Sequence, residues 1–345
     1  MTRTYADYAQ PWWQRLVINR ETAMLALLIG LVVWAVANVV YFGTTLTMTY
    51  LLLDTAPVLL IALPMTMVIV TGEIDLSVAS VVGLSSVLVG DLYRAGFSIP
   101  VAGAVALLAG LACGALNGYL VAYLGLPSLA VTIGTLALFR GLAVGLLGTT
   151  AVTDFPSQWT QLATSEVGSS GIPLITIVFL VLAAAFVLLL QYTPFGRGVY
   201  DIGLSKEAAL FSGVNVRRTS FILFLLTGVV SAFAGIYFTL RFGSARGDNA
   251  TGLELQVIAA VLLGGVSIFG GRGRLFGVVI GVLLIGTISS ALRLQGVTVN
   301  VINIIIGALL IISVMSTSVL AWKPRLARRK SSGPSPQSTS SGVGS

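Results

Sequence analysis

Apolar residues in this chain come in runs long enough to cross a bilayer as helix, and that limits the fold to few choices. A span needs roughly 20 such residues to cross a ~30 Å hydrocarbon core. About ten runs follow one another, at 22–43, 54–71, 76–92, 99–123, 128–149, 173–192, 219–240, 253–270, 275–292 and 298–320, with 46–53 as a candidate short interfacial helix. Runs of this length exclude a transmembrane barrel, whose strands are about half as long and alternate. Composition agrees: 56% of residues are hydrophobic and 9% charged, against about one quarter charged in a soluble domain. The expected fold class is therefore all-α, a polytopic membrane protein of about ten transmembrane helices.

Orientation follows from the cations, which concentrate in cytoplasmic loops. With the N-terminus inside, the cytoplasmic segments hold Arg3, Arg15, Arg20, Arg197, Lys206, Arg217, Arg218, Arg272, Arg274, Lys323, Arg325, Arg328, Arg329 and Lys330. Only Arg94, Arg241, Arg246 and Arg293 fall outside, and Arg140 lies within a span. Both termini are expected in the cytoplasm of a multi-pass plasma-membrane protein. The chain then divides into a cytoplasmic segment 1–21, a transmembrane domain 22–320 with a cytoplasmic loop 193–218, and a tail 321–345 that is basic and then rich in Ser, Gly and Pro. Such a tail buries too little apolar surface to fold. The first run lacks a small-residue cleavage site and is expected to remain as a helix. The pI of 9.8 fits inside-positive loops facing anionic lipid rather than nucleic acid.

Several chemistries are excluded by what is missing. There is no histidine and only one cysteine, Cys113, so a Ser-His-Asp triad, His or Cys zinc sites and a disulfide all fail, and no metal site is expected. No G-x-x-x-x-G-K-[ST] occurs; "GGVSIFGGRGR", 264–274, lacks the Lys-Ser/Thr pair and reads as a tight inter-helix turn. An aspartate-pair hydrolase would need a second matched aspartate. An ion-coupled carrier would rely on charges deep in the spans, for which Asp54, Arg140 and Glu254 are the candidates.

The sharpest polar feature is "VIVTGEIDLSVAS", 68–80, where Glu73 and Asp75 stand between two apolar runs. Asp75-Leu76-Ser77 reads as a helix start, with acid and hydroxyl accepting from free N–H groups. Asp75 is further expected to pair with Arg140 or Arg272 and so hold one of two access states. Glycines recur every fourth residue at Gly110, Gly114, Gly118 and at Gly273, Gly277, Gly281; this spacing lets helices approach closely in lipid. A faint similarity between 68–90 and 261–286 suggests two related halves. Within 191–218, a short amphipathic helix is expected to begin near Ser205, to carry Lys206 and Glu207 beside Ala208, Ala209 and Phe211, and to end at Gly213. It reads either as a solvated loop or as a docking helix.

Four stretches, "TGEIDLSVASVVGL", "PSLAVTIGTLALFRGLA", "TPFGRGVYDIGLSKEAALFSGVNVRR" and "GLELQVIAAVLLGGVSIFGGRGRLFGVVIGVLL", together resemble the permeases of bacterial ATP-binding-cassette importers for ribose, xylose, arabinose, galactose, rhamnose and autoinducer 2. The resemblance covers about residues 15–320, and "FGSARGDNATGLEL", 242–255, looks most like the rhamnose-type branch. It implies a subunit that is not itself an enzyme and binds no cofactor, the ATP and Mg residing on a partner. The implied partners are an ATP-binding subunit, an extracytoplasmic sugar-binding protein and a second permease, identical or paralogous. Gly203, Glu207, Ala208, Ala209 and Gly213 match the family's ATPase-coupling loop. A neutral sugar is expected to meet amide and hydroxyl groups, with Asn117, Thr132, Thr135 and Gln256 as path candidates.

Overall fold

The computed structural model describes residues 20–313 and 315. The expected N-terminal segment up to residue 19, the end of the last run and the tail 321–345 lie outside the described residues, and so do Arg3, Arg15 and the five cations from Lys323 to Lys330. The described residues form a succession of helices: α1 Arg20–Asn38, α2 Thr45–Val70, α3 Val78–Arg94, α4 Ile99–Gly118 with a π-helical turn Tyr119–Tyr123, α5 Ser128–Leu147, α6 Ser157–Thr164, α7 Leu174–Tyr192, α8 Pro194–Leu204, α9 Lys206–Phe211, α10 Val216–Phe242, α11 Leu253–Leu263 and α12 Leu275–Leu294; then α13 Val299–Ser313. Among the described residues there is no strand, only isolated bridges Val152↔Ala245 and Glu166↔Pro173.

Seven of these helices, α1, α2, α4, α5, α7, α10 and α12, are long and apolar enough to cross a membrane. The sequence suggested about ten, and the difference has local causes. The run at 253–270 is helical only to Leu263, because Gly264 ends it and Gly265, Gly270 and Gly271 turn the chain with positive φ. Eleven residues rise ~16 Å, about half the hydrocarbon core. The third run gives the 17-residue α3, which ends on Asp91 and Arg94. Residues 46–53 are no separate interfacial helix but the first turns of α2.

Helix α2 is the axis of the bundle. It is apolar on every side and accordingly buried from Thr55 to Val70. Its hydroxyls are satisfied within the helix, Thr55 donating to Leu51 O at 2.7 Å and Thr66 to Ala62 O at 2.6 Å. Helices α7, α10, α11 and α12 pack on it, α4 packs on α10, and α3 lies between α10 and α5.

Lipid tails are as apolar as leucine, so these contacts depend on close fit. Gly110, Gly114 and Gly118 press α4 onto α10: a Cβ at Gly110 would sit 2.6 Å from Gly228 O, and one at Gly118 3.1 Å from Phe221 O. From the other side, a Cβ at Gly228 would meet the Gly114 backbone at 2.9 Å. Gly277 and Gly281 do the same for α12 on α11, against Gly264 and Ala260. Gly273 is the exception to the expected triplet. It precedes α12 and lies in the turn against the Val266 side chain; Gly264, on the facing helix, completes that contact instead.

The two stretches read as related halves have the same construction. Each is a helix end, a glycine-containing turn and a helix start, 68–90 at α2–α3 and 261–286 at α11–α12. The turns touch, Gly271 N donating to Val70 O at 2.8 Å.

Gly114→Val should separate α4 from α10, at a cost of at least ~1–3 kcal/mol for overpacking, and lower the thermal midpoint in detergent by several degrees. Gly141→Val on α5, where a Cβ meets nothing within 4 Å, should leave it in place.

Candidate functional site

Buried polar groups from α4, α5 and α10 meet at residues 73–77, between α2 and α3. Val70 ends the helix, Gly72 takes φ +80, and 73–75 run without helical structure into α3. Each of these three residues bonds a different part of the molecule. Glu73 accepts a short ion-paired hydrogen bond from Lys206 Nζ on α9. Ile74 N donates to Ser128 Oγ and Ile74 O accepts from Thr132 Oγ1, both at 3.2 Å and both on α5. Asp75 accepts from Ser77 N at 2.9 Å, Ser77 Oγ at 2.7 Å and Thr227 Oγ1 of α10 at 2.9 Å. Asn117 of α4 donates to Ser77 Oγ at 2.8 Å.

The helix-start expectation holds for the acid and fails for the hydroxyl. Asp75 caps through the Ser77 N–H, whereas Ser77 makes no side-chain cap; its hydroxyl instead passes a hydrogen bond from Asn117 to Asp75. The expected pairing of Asp75 with Arg140 or Arg272 is overturned. Arg140 Nη1 donates to Gly247 O at 2.9 Å and Asn249 O at 2.7 Å, and Nη2 to Ala79 O at 3.2 Å, tying α5 to the start of α3 and to the loop before α11. Arg272 is exposed in the α11–α12 turn. Backbone carbonyls freed by irregular chain satisfy Arg140, and neutral donors satisfy Asp75.

The segment 193–218 folds as two short helices rather than one. Thr193 caps α8 by accepting from Gly196 N, and Ser205 caps α9 by accepting from Ala208 N at 3.2 Å. Ser205 Oγ also donates to Glu207. Glu207's own backbone N–H and that hydroxyl hold its carboxyl below the usual value. Gly213 takes φ +83 after the helix, the C-terminal role expected of it. Gly203 is pressed against the backbone of Gly271 and Val70, and Tyr200 Oη donates to Gly273 O at 2.7 Å. Ala209 is buried, so only Ala208 and Glu207 of the expected pair-and-acid face look outward. Phe211 is 93% exposed, flanked by exposed Leu204 and Leu210, with Phe269 of the neighbouring turn also exposed. Sequence reasoning grouped Phe211 with Ala208 and Ala209 and missed it as the most exposed aromatic side chain among the described residues.

At the opposite end of α2, Asp54 accepts from Arg241 at 3.3 Å and Arg293 at 3.0 Å, and Arg241 also stacks over Tyr50. Gln256, Arg246, Asn249 and Arg293 line a cavity of about 440 Å³ beside Asp54, within the range of small-molecule sites. It continues towards Ser289, Ser290 and Asn303. Asp248 is held below its usual value by the Arg246 guanidinium, which bonds both its oxygens at 2.9 Å. Of the four path candidates, Gln256 alone lines this space; Asn117, Thr132 and Thr135 are buried in helix contacts. Glu254 opens α11, and among the described residues no cluster of His, Cys, Asp or Glu is suited to a metal.

Residues 47–314 match the family model described as "Branched-chain amino acid transport system / permease component". The chain belongs to this permease family. It is 38% identical over 326 residues to the "Autoinducer 2 import system permease protein LsrD" of Escherichia coli (strain K12) and of Shigella flexneri, spanning 90% of this chain and 96% of each relative. The protein of that name from E. coli (strain SMS-3-5 / SECEC) is 37% identical over the same length. No solved structure matches. The chain is thus a transport protein, a multi-pass permease of the plasma membrane. The loop at 242–255 reads as rhamnose-type, whereas these relatives carry the autoinducer 2 name.

Asp75→Ala leaves the Ser77 N–H and the Ser77 hydroxyl without their acceptor, while Thr227 keeps Phe224 O, a loss of ~2–6 kcal/mol at about 1–3 kcal/mol per orphaned donor. Asp75→Asn keeps an acceptor and should cost less than half of that. Thermal unfolding of both variants in detergent checks the order.

Proposed function

We propose that this chain is the transmembrane permease subunit of an ATP-binding-cassette importer, moving a small neutral hydroxylated solute by alternating access. The observation that carries the reading is the 38% identity over 326 residues to autoinducer 2 import permeases. The 193–218 segment supports it: α8 ends on exposed Leu204 and α9 on exposed Leu210 and Phe211, in a stretch that also carries Arg197, Lys206, Arg217 and Arg218. Autoinducer 2 is the favoured solute, with rhamnose-like and ribose-like sugars as the competing cargo.

In this reading α3, α11 and α13 join the seven long helices to make about ten spans, with both termini cytoplasmic. The Lys206 end of the bundle then faces the cytoplasm and the Asp54 cavity faces outward, where a binding protein delivers the solute. Gln256, Asn303 and Ser290 take over the path role from Asn117, Thr132 and Thr135, which hold helices together instead. ATP and Mg belong to the partner subunit, and a second permease, identical or paralogous, completes the path. The chain supplies the docking patch and the gate. An ion-coupled secondary carrier is less well supported, because Asp54 and Arg140 are each held by protein partners.

Phe211→Asp should abolish co-purification with the ATP-binding subunit while membrane insertion and thermal midpoint remain those of the parent protein. Retention of that subunit by the variant would remove the patch from the proposal.

A further inference from the structure

We infer that the Glu73–Lys206 ion pair is the linkage through which the coupling segment moves the helices around the pore, with Glu73-Ile74-Asp75 acting as a strut. The inference rests on the permease reading and adds to it the contact that transmits the motion.

Besides the apolar burial of Val199 and Ile202, three specific contacts tie α8–α9 to the turns at 70–73 and 271–273. Gly203 packs on Val70 and Gly271, Tyr200 bonds Gly273 O, and Lys206 pairs with Glu73. The first two meet backbone of turns. The third is the only ion pair among the described residues that joins 193–218 to another element. It also lands on a segment whose next two residues hold α5, α3 and α10 by side-chain hydrogen bonds, with α4 attached through Asn117 and Ser77. Glu73, Ile74 and Asp75 lie between Gly72 and the α3 cap and make no helix of their own. A displacement at Glu73 therefore moves a short non-helical strut anchored to four helices and, through Glu73 N to Val68 O at 3.2 Å, to the end of α2.

The two ends of the strut differ in the way such a linkage needs. The Asp75 end is sealed in the protein, 2% exposed, with three donors on one carboxylate. The Lys206 side chain is 52% exposed while its partner Glu73 is 10% exposed. The pair is thus accessible at the surface on one side and anchored on the other. Lys206 lies one helical turn before Leu210 on α9, so retention of the ATP-binding subunit is read alongside the labelling change for every Lys206 variant.

The test uses the complete complex with its ATP-binding subunit in nanodiscs, on a Cys113→Ala background carrying Ser290→Cys as a reporter in the outer cavity. The probe is a membrane-impermeant maleimide, and its labelling rate is read without nucleotide and with ATP trapped by vanadate. With Glu73 and Lys206 present, nucleotide should change the rate at least about fivefold, the lower range of ordinary coupling between sites. Lys206→Glu and Glu73→Lys should each still co-purify and hydrolyse ATP yet lose that change, and the double swap should restore it. Lys206→Gln and Glu73→Gln serve if a reversed charge prevents folding. Single variants that keep the full change, a double swap that restores nothing, or a parent complex that hydrolyses ATP without any change would each overturn the linkage. A parent chain that assembles with no ATP-binding subunit would overturn the permease reading instead.

Discussion

A carboxylate taken out of water is tolerated only where donors or a counter-charge meet it. Asp75 is buried beside α2, and among the described residues no Lys or Arg pairs with it; its acceptors are filled by Ser77 and Thr227. That requirement fixes the positions of α3 and α10 relative to the end of α2. Asn117 extends it to α4, and the flanking Ile74 extends it to α5. The opening acids of the turn therefore have separate duties. Asp75 holds the interior together, and Glu73 meets Lys206 at the edge.

The apolar helix contacts elsewhere in the bundle are held by fit. Glycine on α4 meets glycine on α10, and glycine on α12 meets glycine on α11. Polar side chains add cross-links where the backbone is irregular, as Arg140 does with the carbonyls of Gly247 and Asn249. The Asp54 cavity is the contrast. There Asp54 is shared by Arg241 and Arg293 around an open cavity, so charges are paired and yet partly wet. A polar, open cavity and a compact 193–218 segment are what the importer reading asks of the two faces.

What was legible in the sequence was local. The Gly110-Gly114-Gly118 face follows from spacing on one helix, the Asp75 cap from contact with a residue two positions away, and the α9 caps from Ser205 and Gly213. Contacts between distant residues were not legible: Thr227 lies 152 positions from Asp75 and Lys206 lies 133 from Glu73. Charge alone suggested Arg140 for Asp75, because a sequence does not reveal that a loop will fold back and offer carbonyls. The length of α11 was misread for a related reason. Residues 264–270 are apolar by composition, but their glycines turn the chain, and hydropathy does not see φ. Family resemblance carried what spacing left open, the reading of 193–218 as a coupling segment rather than a solvated loop.

The permease reading holds that this chain moves solute only when a partner subunit consumes ATP. Proteoliposomes containing the assembled complex, supplied with the extracytoplasmic binding protein loaded with autoinducer 2, report solute uptake and ATP hydrolysis in one vessel. Uptake that requires ATP and hydrolysis stimulated by the loaded binding protein are the expected results. Uptake by this chain alone, driven by a sodium or proton gradient and indifferent to ATP, would contradict it.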